Sequence, residues 1–174
     1  MATDELDFWS FVDLAQRRLR EEYGITDTGA TELLLSLNRA SGVVTYDLEA
    51  SAHRPRGRSW PVFRLMYVLW LAGPLESHKV AELCGMTRAG VTNLTKPLVA
   101  EGVVERRPHQ HDGRSVVLGL TTAGTREAEE AFAAHHEREQ RWASGLTVRE
   151  QRSLVRLLAK LIAHRPDLEV HGRR

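Results

Sequence analysis

A mainly helical chain interrupted by one small β-hairpin is what this sequence predicts, on three observations. Apolar residues recur at helical spacing over most of the 174 residues. Between Leu75 and Thr122, two short helical patterns joined by a tight turn are followed at once by two strand-like runs. Between those runs lies a polar tip, His109-Gln110-His111-Asp112-Gly113-Arg114, too hydrophilic to be core. Helix, turn, helix and hairpin in that order make a winged helix-turn-helix. Long N- and C-terminal helices flank it.

The first helical segment, Asp4–Tyr23, carries Trp9, Val12, Leu19 and Tyr23 near one face, with Phe8 and Phe11 widening the stripe, and Gly24 ends it. A second runs from about Thr28 to Ala52, with Leu34, Leu37, Ser41, Val44 and Leu48 at alternating three and four spacing, the type of seam along which helices pack. The linker His53-Arg54-Pro55-Arg56-Gly57-Arg58 breaks it, and Trp60–Leu71 then reads as a strongly apolar helix.

In the head, Val80, Ala81, Leu83 and Cys84 are expected on one face of a helix that stops at Gly85, because glycine accepts the left-handed exit. Thr87 is placed to N-cap the next helix. There Val91, Leu94, Leu98 and Val99 are expected inward, which leaves Arg88, Thr92, Asn93 and Lys96 outside. Guanidinium, hydroxyl, amide and ammonium groups on one short face suit base edges and phosphates in a major groove. Pro97 falls inside this helix, where a proline typically costs about 3 kcal/mol. The helix is therefore expected to bend there, or to hold its first two turns as a separate reading segment. Gly102 ends it, and Val103–Arg107 and Ser115–Leu120 read as strands.

After the hairpin, Thr121 is placed to cap a long, mostly charged helix to about Trp142, with Ala128, Ala131, Phe132 and His135 on one side. Thr147 and Glu150 form a capping box for the last helix, which carries Leu154, Leu157, Leu158, Leu161 and Ile162. A helix that apolar needs a partner surface, either its own core or a second subunit.

The head resembles the multiple antibiotic resistance regulator (MarR) family of bacterial transcription factors. The resemblance rests on Val80-Ala81-Glu82-Leu83-Cys84-Gly85-Met86-Thr87-Arg88, Leu98-Val99-Ala100-Glu101-Gly102-Val103-Val104-Glu105-Arg106-Arg107-Pro108, Asp112-Gly113-Arg114-Ser115 and Leu120-Thr121-Thr122-Ala123-Gly124. It covers roughly Ala30 to Ala163, including the Trp60–Leu65 run. It implies that Arg114 enters the minor groove, where a narrow groove concentrates negative potential, while Asp112 steadies the wing. It also implies DNA contacts from Arg88, Thr92, Asn93 and Lys96. It implies a homodimer built from the first and last helices, with recognition helices about 34 Å apart selecting an inverted repeat. The expected division is 1–58 for the N-terminal helices, 59–122 for the head and 123–174 for the C-terminal helices, within one subunit. The additional N-terminal helix is similar to that of a urate-responsive branch, in which a tryptophan lines the ligand site, and Trp9 would correspond. That branch carries an aspartate where this chain has Arg64, which argues against urate itself.

A small-molecule effector is expected at the junction of the lobes. Trp60, Arg64 and Tyr67 stand at four and three spacing, so they share a helical face. An aromatic wall beside a guanidinium suits a flat aromatic or carboxylated ligand, and His53 adds a pH-sensitive donor. No metal or other cofactor is expected, since the eight histidines and single cysteine form no tight ligand motif. Cys84 reads as core filler, its thiol kept protonated by apolar surroundings.

Catalysis is not expected either. The chain has no phosphate-cradling glycine loop, no Gly-x-Ser-x-Gly turn and no His-Glu-x-x-His pair. Net charge is only +1, but residues 1–53 hold 4 Arg and no Lys against 10 acidic residues, a balance of −6. The remainder holds 20 basic against 13 acidic, a balance of +7, as a phosphate-binding half would. With no long apolar run and no possible intrachain disulfide, the expected setting is the cytoplasm, without a membrane partner. The expected function is a dimeric, ligand-responsive regulator binding double-stranded DNA, a repressor rather than an activator. The alternative is a winged-helix protein-interaction module that does not bind DNA.

Overall fold

The computed structural model describes residues 7–108 and 116–163. The chain divides into two compact units, Met1–Asp47 and Leu48–Arg174.

The first unit holds α1 (Phe8–Glu21) and α2 (Gly29–Leu48, whose last residue belongs to the second unit). α1 begins where Asp7 caps it, accepting from the Ser10 backbone N–H at 2.8 Å. Its last turn closes at Glu22, and Gly24 turns the chain in the left-handed region at φ 67°. Arg20 then donates to Gln16 and to the buried Thr28 hydroxyl, fixing the turn into α2. Of the expected α1 stripe, Val12 is buried and Leu19 half-buried, whereas Trp9, Phe11 and Tyr23 are exposed. On α2, Leu34 and Ser41 of the expected seam are also exposed.

The second unit opens with a π-helical turn, Glu49–His53, and a 3-10 turn, Arg54–Arg56, ended by left-handed Gly57. There follow α3 (Trp60–Ala72), β1 (Leu75–Glu76), α4 (Ser77–Cys84), α5 (Arg88–Ala100), β2 (Val104–Pro108), β3 (Val116–Leu120), α6 (Thr122–Ala143) and α7 (Val148–Ala163). The strands form an antiparallel sheet in the order β1-β3-β2, with Leu75 opposite Leu118 and Val104 opposite Leu120. β1 is two residues long, too short for any alternation to announce it. It exists because β3 offers a free edge to the stretch after α3.

The core gathers Leu65, Met66 and Leu69 of α3, Val80, Ala81 and Cys84 of α4, Val91 and Leu98 of α5, and Val103, Val104, Leu118 and Ala128. Two expected core residues face out instead, Leu83 at 49 % and Val99 at 36 % exposure. Leu83 lies about 110° around α4 from the mean direction of Val80, Ala81 and Cys84, beyond the arc the core covers. On α5 the place expected for Val99 goes to Thr95, 1 % exposed. Its hydroxyl donates to the Val91 carbonyl at 2.9 Å, which removes the penalty for burying it.

Gly124 is required by contact. A Cβ there would run into the Val103 carbonyl, so the first turn of α6 can seat on the end of the α5–β2 turn only without a side chain. Thr121 holds the same junction by donating to Gly102 O at 2.7 Å and accepting from Gly124 N at 3.0 Å. Thr147 and Glu150 cap α7 reciprocally, as the sequence predicts. No residue of α7 is buried, and Leu154, Val155, Leu157 and Ile162 are all exposed.

Candidate nucleic-acid interface

Two helix ends of the same design frame the reading element. At the end of α4, Met86 N donates to Ala81 O at 2.8 Å and Gly85 N to Glu82 O at 3.0 Å, with Gly85 left-handed. At the end of α5, Val103 N donates to Leu98 O and Gly102 N to Val99 O, with Gly102 left-handed. Both are Schellman closures, which satisfy carbonyls a helix end would otherwise leave open. The Arg64 guanidinium donates to another of them, Cys84 O, and places a cation at the C-terminus of α4. The turn from α4 into α5 is therefore locked from two sides.

Thr87 caps α5, accepting from Gly90 N at 3.0 Å. Arg88, Thr92, Asn93 and Lys96 are exposed, as their positions predict, and the Thr92 hydroxyl donates to Arg88 O. α5 continues through Pro97 to Ala100, so these four residues lie on one unbroken helix rather than on a detached segment. The missing proline N–H falls on the exposed side, and the buried side keeps Val91, Thr95 and Leu98 in place. Beside α5, β2 exposes Arg106 and Arg107, the latter paired with Glu105 at 2.6 Å. Asp112 and Arg114, together with His109 and His111, lie outside the described residues.

Behind the reading helix, rings form a layer between α3 and α6. His53 stacks on Phe63 at 4.0 Å, Phe63 on Tyr67 at 5.7 Å, and Tyr67 on Phe132 at 5.4 Å, while Trp60 stacks on His135 at 5.6 Å. His53, Trp60 and Tyr67 thus belong to one layer, with His53 fully buried in it. Arg64 does not join them. Its guanidinium leaves the helical face it shares with Trp60 and Tyr67 to reach Cys84 O, an open carbonyl at the C-terminus of α4. Trp9 belongs to the other unit, where its ring meets Phe8 edge-on and is 63 % exposed.

His53 is fully buried, and its pKa falls from 6.5 to about 4 through desolvation, then through the nearby His135. Desolvation also lowers His135. His53 Nε2 lies 3.2 Å from His135 Nδ1, and His135 Nε2 lies 3.0 Å from Glu139. Glu139 accepts, so His135 carries its proton on Nε2 and presents Nδ1 as an acceptor for His53 Nε2–H. His53 Nδ1 is left as a lone pair with no hydrogen-bond partner. Spacing arguments point to His53 and His135 separately but not to their pairing, which joins residues 82 positions apart. Cys84 is fully buried and burial raises its pKa, so it packs as core filler. Among the described residues, no group of three or more His, Cys, Asp or Glu is arranged to hold a metal ion. No helix among them is long and apolar enough to cross a membrane.

An exposed polar and cationic helix face beside a small β-hairpin, on a tightly closed helix-turn-helix, defines a DNA-binding winged-helix regulator. A model of the MarR family matches residues 59–116. The HTH-type transcriptional regulator YwaE of Bacillus subtilis is 30 % identical over 132 residues, 76 % of this chain and 77 % of that protein. The HTH-type transcriptional repressor YetL of the same organism is 29 % identical over 143 residues, 81 % of this chain and 85 % of that one. The chain belongs to the MarR family of transcriptional regulators. Its fold is that of a mutant MarR from E. coli crystallised with operator DNA, at a TM-score of 0.70 and 21 % identity over 79 % of this chain and 98 % of that one. The matched relatives are regulators of transcription, not enzymes.

Proposed function

We propose that this regulator is a homodimeric repressor that reads an inverted-repeat operator and is released by a small aromatic or carboxylated effector. The observation that carries this reading is the exposed set Arg88, Thr92, Asn93 and Lys96 on one continuous helix. Those four would contact base edges and phosphates, and Arg114, steadied by Asp112, would enter the adjacent minor groove. Dimerisation is supported by the uncovered apolar face of α7, and repression by the likeness to the repressor YetL. A protein-interaction module would present large apolar groups where α5 presents short polar ones, so that alternative is not favoured.

For the effector, Trp60 and Tyr67 supply flat half-buried surfaces, and His53 backs them. An acid binding Arg64 must compete with Cys84 O. It would then loosen the turn that aims α5, which gives release a physical route. Selection of bound sequences from a random duplex pool, with and without aromatic acids, tests the whole reading. Enrichment of an inverted repeat that is lost when an acid is added is the expected result. Absence of salt-dependent binding to any duplex would refute it.

A further inference from the structure

Arg58 makes three charged contacts that join three separate elements. Its Nε and Nη2 donate to the two oxygens of Glu127 on α6, at 2.5 and 3.1 Å, and its Nη1 donates to Glu101 at the C-cap of α5, at 2.6 Å. Its own backbone N–H is tied to His53 O, so the arginine is anchored in the turn before α3. Its side chain is 18 % exposed, which distinguishes it from the freely solvated ion pairs of the surface. Bidentate guanidinium–carboxylate pairing fixes direction as well as distance.

We infer that Arg58 is a positioning residue for DNA recognition, aiming α5 by holding Glu101 against α6. This rests on the DNA-binding reading above. α5 is about 20 Å long and packs on the core near its middle, through Val91, Thr95 and Leu98. Because α5 is one continuous helix, a displacement at Glu101 tilts it about that contact and is felt at the Arg88 end. A shift of about 1 Å there exceeds what hydrogen bonds to base edges tolerate.

Electrostatics makes the test decisive. Glu101→Ala removes a negative charge from the reading head, so charge alone predicts tighter DNA binding. Loss of positioning predicts weaker binding. Affinity is to be measured by fluorescence anisotropy on a duplex that the wild-type protein itself selects, across a salt series, with melting temperature as the control for folding. We expect Glu101→Ala to weaken binding by on the order of three- to tenfold. The dependence of log affinity on log salt should keep its slope, because no phosphate contact is lost. Arg58→Lys, whose single ammonium can serve Glu127 but cannot fork to both carboxylates, should show the same loss. In an Arg58→Ala background, Glu101→Ala should cause no further loss. Binding by Glu101→Ala as tight as wild type or tighter, with wild type binding normally, would overturn the positioning role and leave the DNA reading standing. Failure of the wild-type protein to bind any duplex would overturn both.

Discussion

Acid is expected to unfasten the His53–His135 pair before it affects most of the molecule. In the neutral pair every N–H has an acceptor, and only the His53 Nδ1 lone pair goes unused. Protonating His53 creates an Nδ1–H with no acceptor and a charge in a ring layer. The charges that face it are mixed: Glu49 favours the cation, Arg56 and His135 oppose it, and Arg58 and Glu127 line the same small cavity while paired with each other. In the unfolded chain His53 takes its proton near 6.5, and in the fold it does so only near 4. Between those values the unfolded state binds more protons, so stability falls as pH falls and levels off below about 4. That interval corresponds to about 3 kcal/mol from this one residue, and His135 shifts in the same direction. Urea unfolding of wild type and His53→Phe at several pH values between 7 and 4 isolates the His53 share. The variant gives up the hydrogen bond to His135 at every pH, so only the difference in slope is diagnostic. We expect the wild-type curve to descend more steeply than the variant's as pH falls from 7 towards 4. Parallel curves would refute the assignment of His53 as a buried neutral imidazole.

Arg114→Ala should weaken DNA binding about tenfold or more in a mobility-shift titration, since a minor-groove guanidinium contributes both charge and fit. Unchanged affinity would remove the wing from the mechanism. Gly124→Ala should lower stability by about 3 kcal/mol or prevent folding, because the new methyl group meets the Val103 carbonyl backbone. A melting temperature equal to wild type would show that the α6 junction gives way easily. Leu157→Asp, on the exposed apolar face of α7, should shift the protein to monomer in light scattering at micromolar concentration and abolish tight DNA binding with it. A dimer of wild-type strength would place the subunit contact elsewhere.

Periodicity and capping chemistry made the head legible. Gly85, Thr87, Gly102, Thr121 and the Thr147–Glu150 box each end or begin an element where their chemistry requires it. Periodicity was less reliable at the margins of a face. Leu83 and Val99 look like core by type, yet the arc they occupy is uncovered, and Thr95 is buried because its hydroxyl finds a carbonyl one turn back. The features that organise the site are those a local pattern cannot carry. Arg64 shares a helical face with two rings, but an open carbonyl on a neighbouring helix end draws its guanidinium away. Arg58 sits in a basic linker that reads as solvated charge, and only the fold brings Glu101 and Glu127 to opposite sides of it. His53 and His135 are ordinary residues until the turn before α3 meets α6. In each case the side chain was legible and its partner was not, because partners 20 to 82 residues away are chosen by packing. The exposed polar face of α5 can thus be recognised from sequence, while the ion pairs at its C-terminal end are visible only in three dimensions.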